Sequence, residues 1–346
     1  MKKCIYLIVS VLSITLLLGS CKENDLTPVY IHVTEKTFED CIDVSDFNET
    51  HEQNFDQEQL EALKRHKFTH VNVYVNNKNL GCWQIPCKVP VLGISGADTS
   101  TLVLLPAFPI SGMSNTIWSY PFLNICRQKV VLQKGTTYET EQNPPRYVYS
   151  EYARFPFFQT FSNSTPFMPS DTSRSKLNLL PVSYDGKNVG ELVMSDSTAQ
   201  SFDIYSPQIP MPVGNYRVLL EIRYKTECPV DISMKMSTAI NPHMAYPIGG
   251  FYASPNEWKT IHFDLTNTIN NNHNAAGTAT LGTLIFSGAG ERARFPTCVL
   301  MTSKWFTSVP HSAYEQDQTD LCLLAFGFRS RPYHVGRAIY VPQAYR

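Results

Sequence analysis

From Tyr216 to Tyr224 the apolar side chains Tyr216, Val218, Leu220, Ile222 and Tyr224 alternate with Arg217, Glu221 and Arg223. Successive side chains on a strand point to opposite faces, so this two-residue period specifies β-structure with one face in a core and the other in water. The turn formers Gly214-Asn215 precede it, and Val230, Ile232, Met234 and Met236 repeat the period just beyond it. Short aliphatic or β-branched runs elsewhere read as strands: Val29 to Val33, Val71-Val73-Val75, Leu102 to Leu105 and Val130 to Leu132. Further strands are expected at Glu191 to Met194, Trp258 to Leu265, Thr280 to Phe286, Leu321 to Phe328 and Ala338 to Val341. Many short strands joined by polar connections predict a mainly all-β protein built from antiparallel sandwiches.

One short helix is expected within that pattern. Asp56 is placed to cap it, Gln59 stands three residues on, and Leu60 and Leu63 share a face up to His66. Asn76-Asn77-Lys78-Asn79, between Val75 and Leu80, is a hairpin signal. At Asn143-Pro144-Pro145-Arg146 two prolines interrupt any ladder, so a domain boundary is drawn there. The expected divisions are residues 1–20 as a signal peptide, 21–28 as a tether, 29–143 as a first β-sandwich domain and 147–346 as a second.

The amino terminus specifies an address. Met1, Lys2 and Lys3 form a positive start, and the uncharged run from Ile5 to Leu18 is too short for a bilayer-spanning helix, which needs about 20 residues. Leu18-Gly19-Ser20-Cys21 then resembles the bacterial lipobox, with cleavage between Ser20 and Cys21 and lipidation of Cys21. More than one acyl chain suffices as an anchor, since burial contributes about 0.8 kcal/mol per CH₂. The following Lys22-Glu23-Asn24-Asp25 resembles, at Lys22, Glu23 and Asp25, the short export signal that sends Bacteroidetes lipoproteins to the outer face of the outer membrane. The alternative is a solvated polar tether that says nothing about the leaflet, with the periplasmic face as the alternative location.

Removal of residues 1–20 would leave 326 of the 346 residues, enough for about two domains. With 43% hydrophobic, 12% aromatic and 17% charged residues, the chain reads as folded and poorly suited to a long helical design. Loss of Lys2 and Lys3 moves the formal charge from -1 to -3, so no basic surplus points to nucleic acid or anionic lipid as a partner. Apart from Cys4 and Cys21 the cysteines are Cys41, Cys82, Cys87, Cys126, Cys228, Cys298 and Cys322. This odd, irregularly spaced set predicts mostly buried free thiols with at most a few bridges.

A resemblance follows from particular stretches. His70 through Val75, Leu80-Gly81, Ile85-Pro86, Pro90-Val91-Leu92 and Tyr120-Pro121-Phe122 resemble the first domain of a set of uncharacterised Bacteroidetes outer-membrane lipoproteins. Trp258-Lys259-Thr260-Ile261-His262-Phe263-Asp264-Leu265-Thr266 resembles their closing half, a jelly-roll sandwich similar in outline to carbohydrate-binding modules. The resemblance implies architecture and address. It carries no catalytic residue.

Chemical motifs are sparse. His66 and His70 stand four residues apart, but His70 opens a strand, so they do not share a helical face, and there is no HExxH. Cys82 and Cys87 flank Pro86 without a CxxC partner or nearby histidine, so no metal or other cofactor is expected. His243, His262, His273, His311 and His334 follow no repeated spacing. No serine sits in a GxSxG elbow, and Gly249-Gly250 and Gly288-Ala289-Gly290 lack the lysine of a phosphate loop and read as turns. Glu191, Asp196, Glu221 and Asp264 are candidate paired carboxylates, but alternating strand positions normally expose such groups to water. Asp196-Ser197-Thr198 resembles a short O-glycosylation site.

Aromatics give the positive signal for binding: Trp83, Trp118, Trp258 and Trp305 are candidate platforms for sugar rings, with core or inter-domain packing as the competing role. Two classes follow. One is a non-catalytic accessory or scaffold lipoprotein docked on an outer-membrane protein complex; the other is a surface glycan-binding lipoprotein of a polysaccharide uptake system, with an enzyme third.

Overall fold

The computed structural model describes residues 27–304 except 95, 162–165, 170–174, 185–186, 195–200, 238–240, 242, 273–279 and 290–291. Ser20, Cys21, Lys22, Glu23, Asp25, Asp196-Ser197-Thr198, Trp305, Cys322 and the strands expected at 321–328 and 338–341 lie outside the described residues.

The first half contains β1 (Val29–Val33), β2 (Ile42–Asp43), β3 (His70–Val75), β4 (Lys78–Gln84) and β5 (Cys87–Val91). It continues with β6 (Ala97–Pro109), β7 (Ile117–Ser119), β8 (Arg127–Gln133), β9 (Thr137–Glu139) and β10 (Tyr147–Val148). A sheet of order β4-β3-β6-β7, with β8 also on β6, faces a sheet of order β5-β1-β9, and β10 pairs with β2. The alternate residues Val29, Ile31 and Val33 of β1 and Val71, Val73 and Val75 of β3 meet Leu102, Leu104, Val130 and Leu132 in one core. Two pairings, β1 with β9 and β10 with β2, are parallel within this otherwise antiparallel sandwich.

The second half is a sandwich of two six-stranded sheets. Its strands begin with β11 (Ala153–Gln159), β12 (Met168–Pro169), β13 (Ser175–Tyr184), β14 (Lys187–Met194), β15 (Ser201–Tyr205) and β16 (Ile209–Met211). β17 (Tyr216–Thr226), β18 (Val230–Met236), β19 (Tyr246–Phe251), β20 (Ser254–Asp264), β21 (Thr280–Ala289) and β22 (Arg292–Lys304) complete it. One sheet runs β13-β14-β22-β17-β20 with β11 on β22; the other runs β12-β15-β21-β18-β19 with β16 on β21. Val218, Leu220, Ile222, Ile261 and Phe263 from the first sheet pack with Ile204, Ile232, Met234, Leu284 and Phe286 from the second.

Local signals act as their chemistry requires. Asp56 accepts from the backbone N–H of Gln59, and the Gln59 side chain returns a bond to Asp56, capping helix α2 (Gln57–Leu63), which stops three residues before His66. Two further short helices are present, α1 (Phe47–His51) ahead of it and α3 (Thr266–Asn272) in the second half. Asn76 and Asn77, at φ 49° and 65°, form the two-residue hairpin turn from β3 to β4, and Lys78 and Asn79 already belong to β4. Both positions need positive φ, which asparagine tolerates.

Two expectations are corrected. Gly249 and Gly250 lie within β19 and Gly288 within β21, where the chain packs too closely for side chains. A Cβ at 250 would come within 2.7 Å of the Val230 carbonyl oxygen, and one at 288 within 2.5 Å of the Phe202 ring. β17 is buried on both faces, with Leu219 at 0% and Glu221 at 7% exposure. It lies between β22 and β20, and Leu219 packs in the core of the first half while Val218 and Leu220 pack in that of the second.

The buried clusters meet along this strand. Tyr147, Tyr149, Ala153 and Phe155 belong to the first core, and Phe157 packs against the second. Among the described residues no helix is long and apolar enough to cross a membrane.

Candidate functional site

Where the two cores meet, a chain of polar side chains is sealed from water. β17 and β20 pair so that Glu221 stands opposite His262, and both are buried. His66, just beyond α2, reaches the same carboxylate from the first half, its Nδ1 lying 3.2 Å from Oε1 and 3.0 Å from Oε2. His262 Nε2 lies 3.0 Å from Oε2.

The direction of each bond follows from the one proton a tyrosine hydroxyl owns. Tyr149 donates it to the Leu63 carbonyl at 2.9 Å, so the Tyr149 oxygen accepts from Nε2 of His66. His66 therefore donates from both nitrogens: it is an imidazolium facing the Glu221 carboxylate, and His262 donates a second bond to the same group. Burial alone would raise the carboxyl titration of Glu221, but the charges of His66 and His262 and their hydrogen bonds hold it well below the usual range. Burial pushes the phenols of Tyr120 and Tyr149 far above theirs, so both stay neutral. The sealed chain is thus organised on the Glu221 carboxylate, which both imidazoles engage.

Immediately above it opens a cleft of about 420 Å³, with His262 on its floor. The first half supplies Lys67, Thr69, Phe108, Pro109, Ser111 and Gly112. Its tip is pinned to the second half, since the Ser111 N–H donates to the His262 carbonyl at 2.7 Å and the Phe108 ring stacks on the His262 ring at 3.8 Å. The second half supplies Tyr224, Phe251, Tyr252, Glu257, Lys259 and Thr260. Tyr224 and Phe251 lie ring on ring at 4.0 Å, while Tyr252, in the connection from β19 to β20, is 87% exposed. Lys259 pairs with Glu257 at 3.1 Å. Such a cleft can hold a ligand with apolar faces and hydroxylated edges, with aromatic rings for the faces and hydroxyl, carboxylate and ammonium groups for the edges.

The tryptophans do not gather there. Trp83 lies in β4, half-buried, donating from Nε1 to the Leu80 carbonyl at 2.9 Å. Trp118 lies in β7 at the other side of the same sheet, with the Arg217 guanidinium 4.3 Å from its ring centre, and Trp258 is half-buried in β20 with Arg223 at 5.7 Å. Lys67 and Tyr252 belong to no sequence motif, although an aromatic directly after Gly249-Gly250-Phe251 is a readable signal.

The candidate carboxylates and histidines sort differently from their sequence pattern. Glu221 and Glu191 are buried rather than exposed, and His66 and His262, 196 positions apart, share Glu221. His66 and His70 part company at the start of β3. Among the described residues no group of three or more His, Cys, Asp or Glu is arranged to hold a metal ion. Cys41, Cys82, Cys87, Cys126 and Cys228 are free; Cys41 and Cys228 are buried, Cys87 and Cys126 half-buried and Cys82 exposed. Burial pushes the Cys41 thiol up to about 12, which keeps it unreactive.

No family model matches the sequence, and neither does any curated protein. Solved structures similar to part of it include the CBM22-1 xylan-binding domain from Paenibacillus barcinonensis, at 11% identity and TM-score 0.33, covering 44% of this chain and 97% of that one. Another is the family 11 carbohydrate-binding module of a cellulosomal cellulase of Clostridium thermocellum, at 11% identity and TM-score 0.29, covering 42% of this chain and 94% of that one. These neighbours are carbohydrate-binding β-sandwich domains.

Proposed function

We propose that this protein is an exported, lipid-anchored glycan-binding protein without catalytic activity of its own, and that the cleft above His262 is its binding site. The observation that carries the reading is the cleft's lining: Tyr252 stands 87% exposed next to the Tyr224–Phe251 pair, in the same cleft that Lys67, Thr69 and Ser111 line. A sugar presents an apolar ring face and a rim of hydroxyls, and this lining supplies a partner for each. Tyr252 orders at low entropic cost, having only two side-chain torsions, which suits it as the contact residue.

Affinity electrophoresis through a panel of soluble polysaccharides tests the site. Retardation by at least one of them, abolished or cut about tenfold in Tyr252→Ala, is expected for an aromatic contact near the centre of a site. Retardation unchanged by the substitution would move the site elsewhere. A protein that no polysaccharide retards, but that pulls a stoichiometric membrane protein out of detergent extracts, would replace this reading with the accessory or scaffold one.

The address is proposed from Leu18-Gly19-Ser20-Cys21 and the charged residues after it, which support a lipid on Cys21 and an outer-membrane location facing the cell exterior. Protease shaving of intact cells should remove the protein, and Cys21→Ala should release it from the membrane fraction. Membrane attachment that survives Cys21→Ala would contradict the anchor.

A further inference from the structure

The charges around the cleft specify its ligand further. Glu257 and Lys259 lie on one wall and neutralise each other at 3.1 Å. Beneath the cleft, the Glu221 carboxylate is already occupied by hydrogen bonds from His66 and His262. What remains is Lys67, which also lines the cleft, is exposed and has no carboxylate partner among the described residues. A cleft with one uncompensated ammonium and low-dielectric walls favours a counter-charge in whatever fills it.

We infer that the glycan is acidic, a chain containing uronic acid residues, and that Lys67 receives the uronate carboxylate while the ring lies against Tyr252. This rests on the cleft being the glycan site. Thr69 and Ser111, on the same wall as Lys67, stand where the neighbouring ring hydroxyls would need partners. A carboxylate there pairs with a lysine that owes nothing to the fold, so recognition leaves no buried charge unpaired on either side.

The test is binding to matched pairs: polygalacturonate, alginate, hyaluronan and glucuronoxylan, each beside the same polymer after its carboxyl groups have been reduced to alcohols, with neutral polysaccharides alongside. At least one acidic polymer should bind and weaken about three- to fivefold on reduction, the range expected of a partly exposed ion pair. Lys67→Ala should lose the same factor toward the acidic form and none toward the reduced form, with a circular dichroism spectrum unchanged. Raising the salt should weaken the wild type more than Lys67→Ala. Equal affinity for an acidic polymer and its reduced form, or preference for a neutral one, would overturn the acidic assignment while leaving the cleft as a glycan site. Failure to bind any polymer, acidic, reduced or neutral, would overturn the glycan reading itself.

Discussion

Glu221 occupies a position that a strand period assigns to solvent, yet it is the residue on which the junction of the two cores is organised. An ionised carboxylate costs several kcal/mol to take out of water, and here the His66 imidazolium on one side and a hydrogen bond from His262 on the other offset that cost. Removing the charge alone, by Glu221→Gln, keeps the volume and leaves His66 buried without its counter-ion, so the urea-derived stability should fall by about 3 to 5 kcal/mol. The pH dependence follows from the same arrangement. The carboxyl titrates lower in the folded protein than its ordinary 4.5, so the pair's stabilisation is present above about that pH and is lost as the pH falls from there toward the depressed folded value. Urea midpoints measured from about pH 6 down to about pH 3 should therefore drop more steeply for the wild type than for Glu221→Gln, other carboxylates being common to both. Parallel curves would show that Glu221 carries no such charge.

At the scale of elements, what the sequence makes legible is what neighbours in the chain decide. The Asp56–Gln59 capping box, the Asn76-Asn77 turn and the alternation in β1, β3, β17 and β18 depend on residues within a few positions of each other, and each forms where its pattern places it. Elements whose cause is remote were not legible. β5 holds its register through β1, more than fifty residues earlier, and α1 is a single five-residue turn whose Phe47 packs against Tyr149 and Phe155 a hundred residues on. Gly250 and Gly288 look like turn residues in sequence because glycine permits turns, but close approach of Val230 and Phe202 excludes any side chain and retains them within strands. The candidate site divides the same way. Trp258, conspicuous in the sequence, lies outside the cleft, whereas His66, Glu221 and His262 are ordinary residues that acquire meaning only when β17 pairs with β20 and His66 reaches across from the first half. Glu221 was legible as a strand residue and illegible as a buried one, since burial of its face depends on the other half of the chain.

For the whole molecule the question is whether two sandwich cores mean two independent folding units, as the prolines at 144 and 145 suggest. The contacts across the junction argue for one. Leu219 of β17 completes the core of the first half, the Ser111 N–H bonds the His262 carbonyl, and the Asn188 amide reaches both oxygens of Glu58 at 3.2 Å. Arg217 lies over Trp118, and the His66–Glu221 pair is sealed between them. Loosely apposed domains meet through polar, wet surfaces that permit relative motion, but separating these halves would expose a buried ion pair and open a core. Unfolding either half thus removes groups that the other needs. Two fluorescence reporters can decide it: a variant retaining only Trp83, in the first half, and one retaining only Trp258, in the second, the remaining tryptophans being phenylalanine. Both should report the same urea midpoint and slope, each equal to that from circular dichroism, as all-or-none unfolding requires. If Trp83 and Trp258 instead report separate midpoints, the halves are independent domains, and the cleft between them is free to open and close around its ligand.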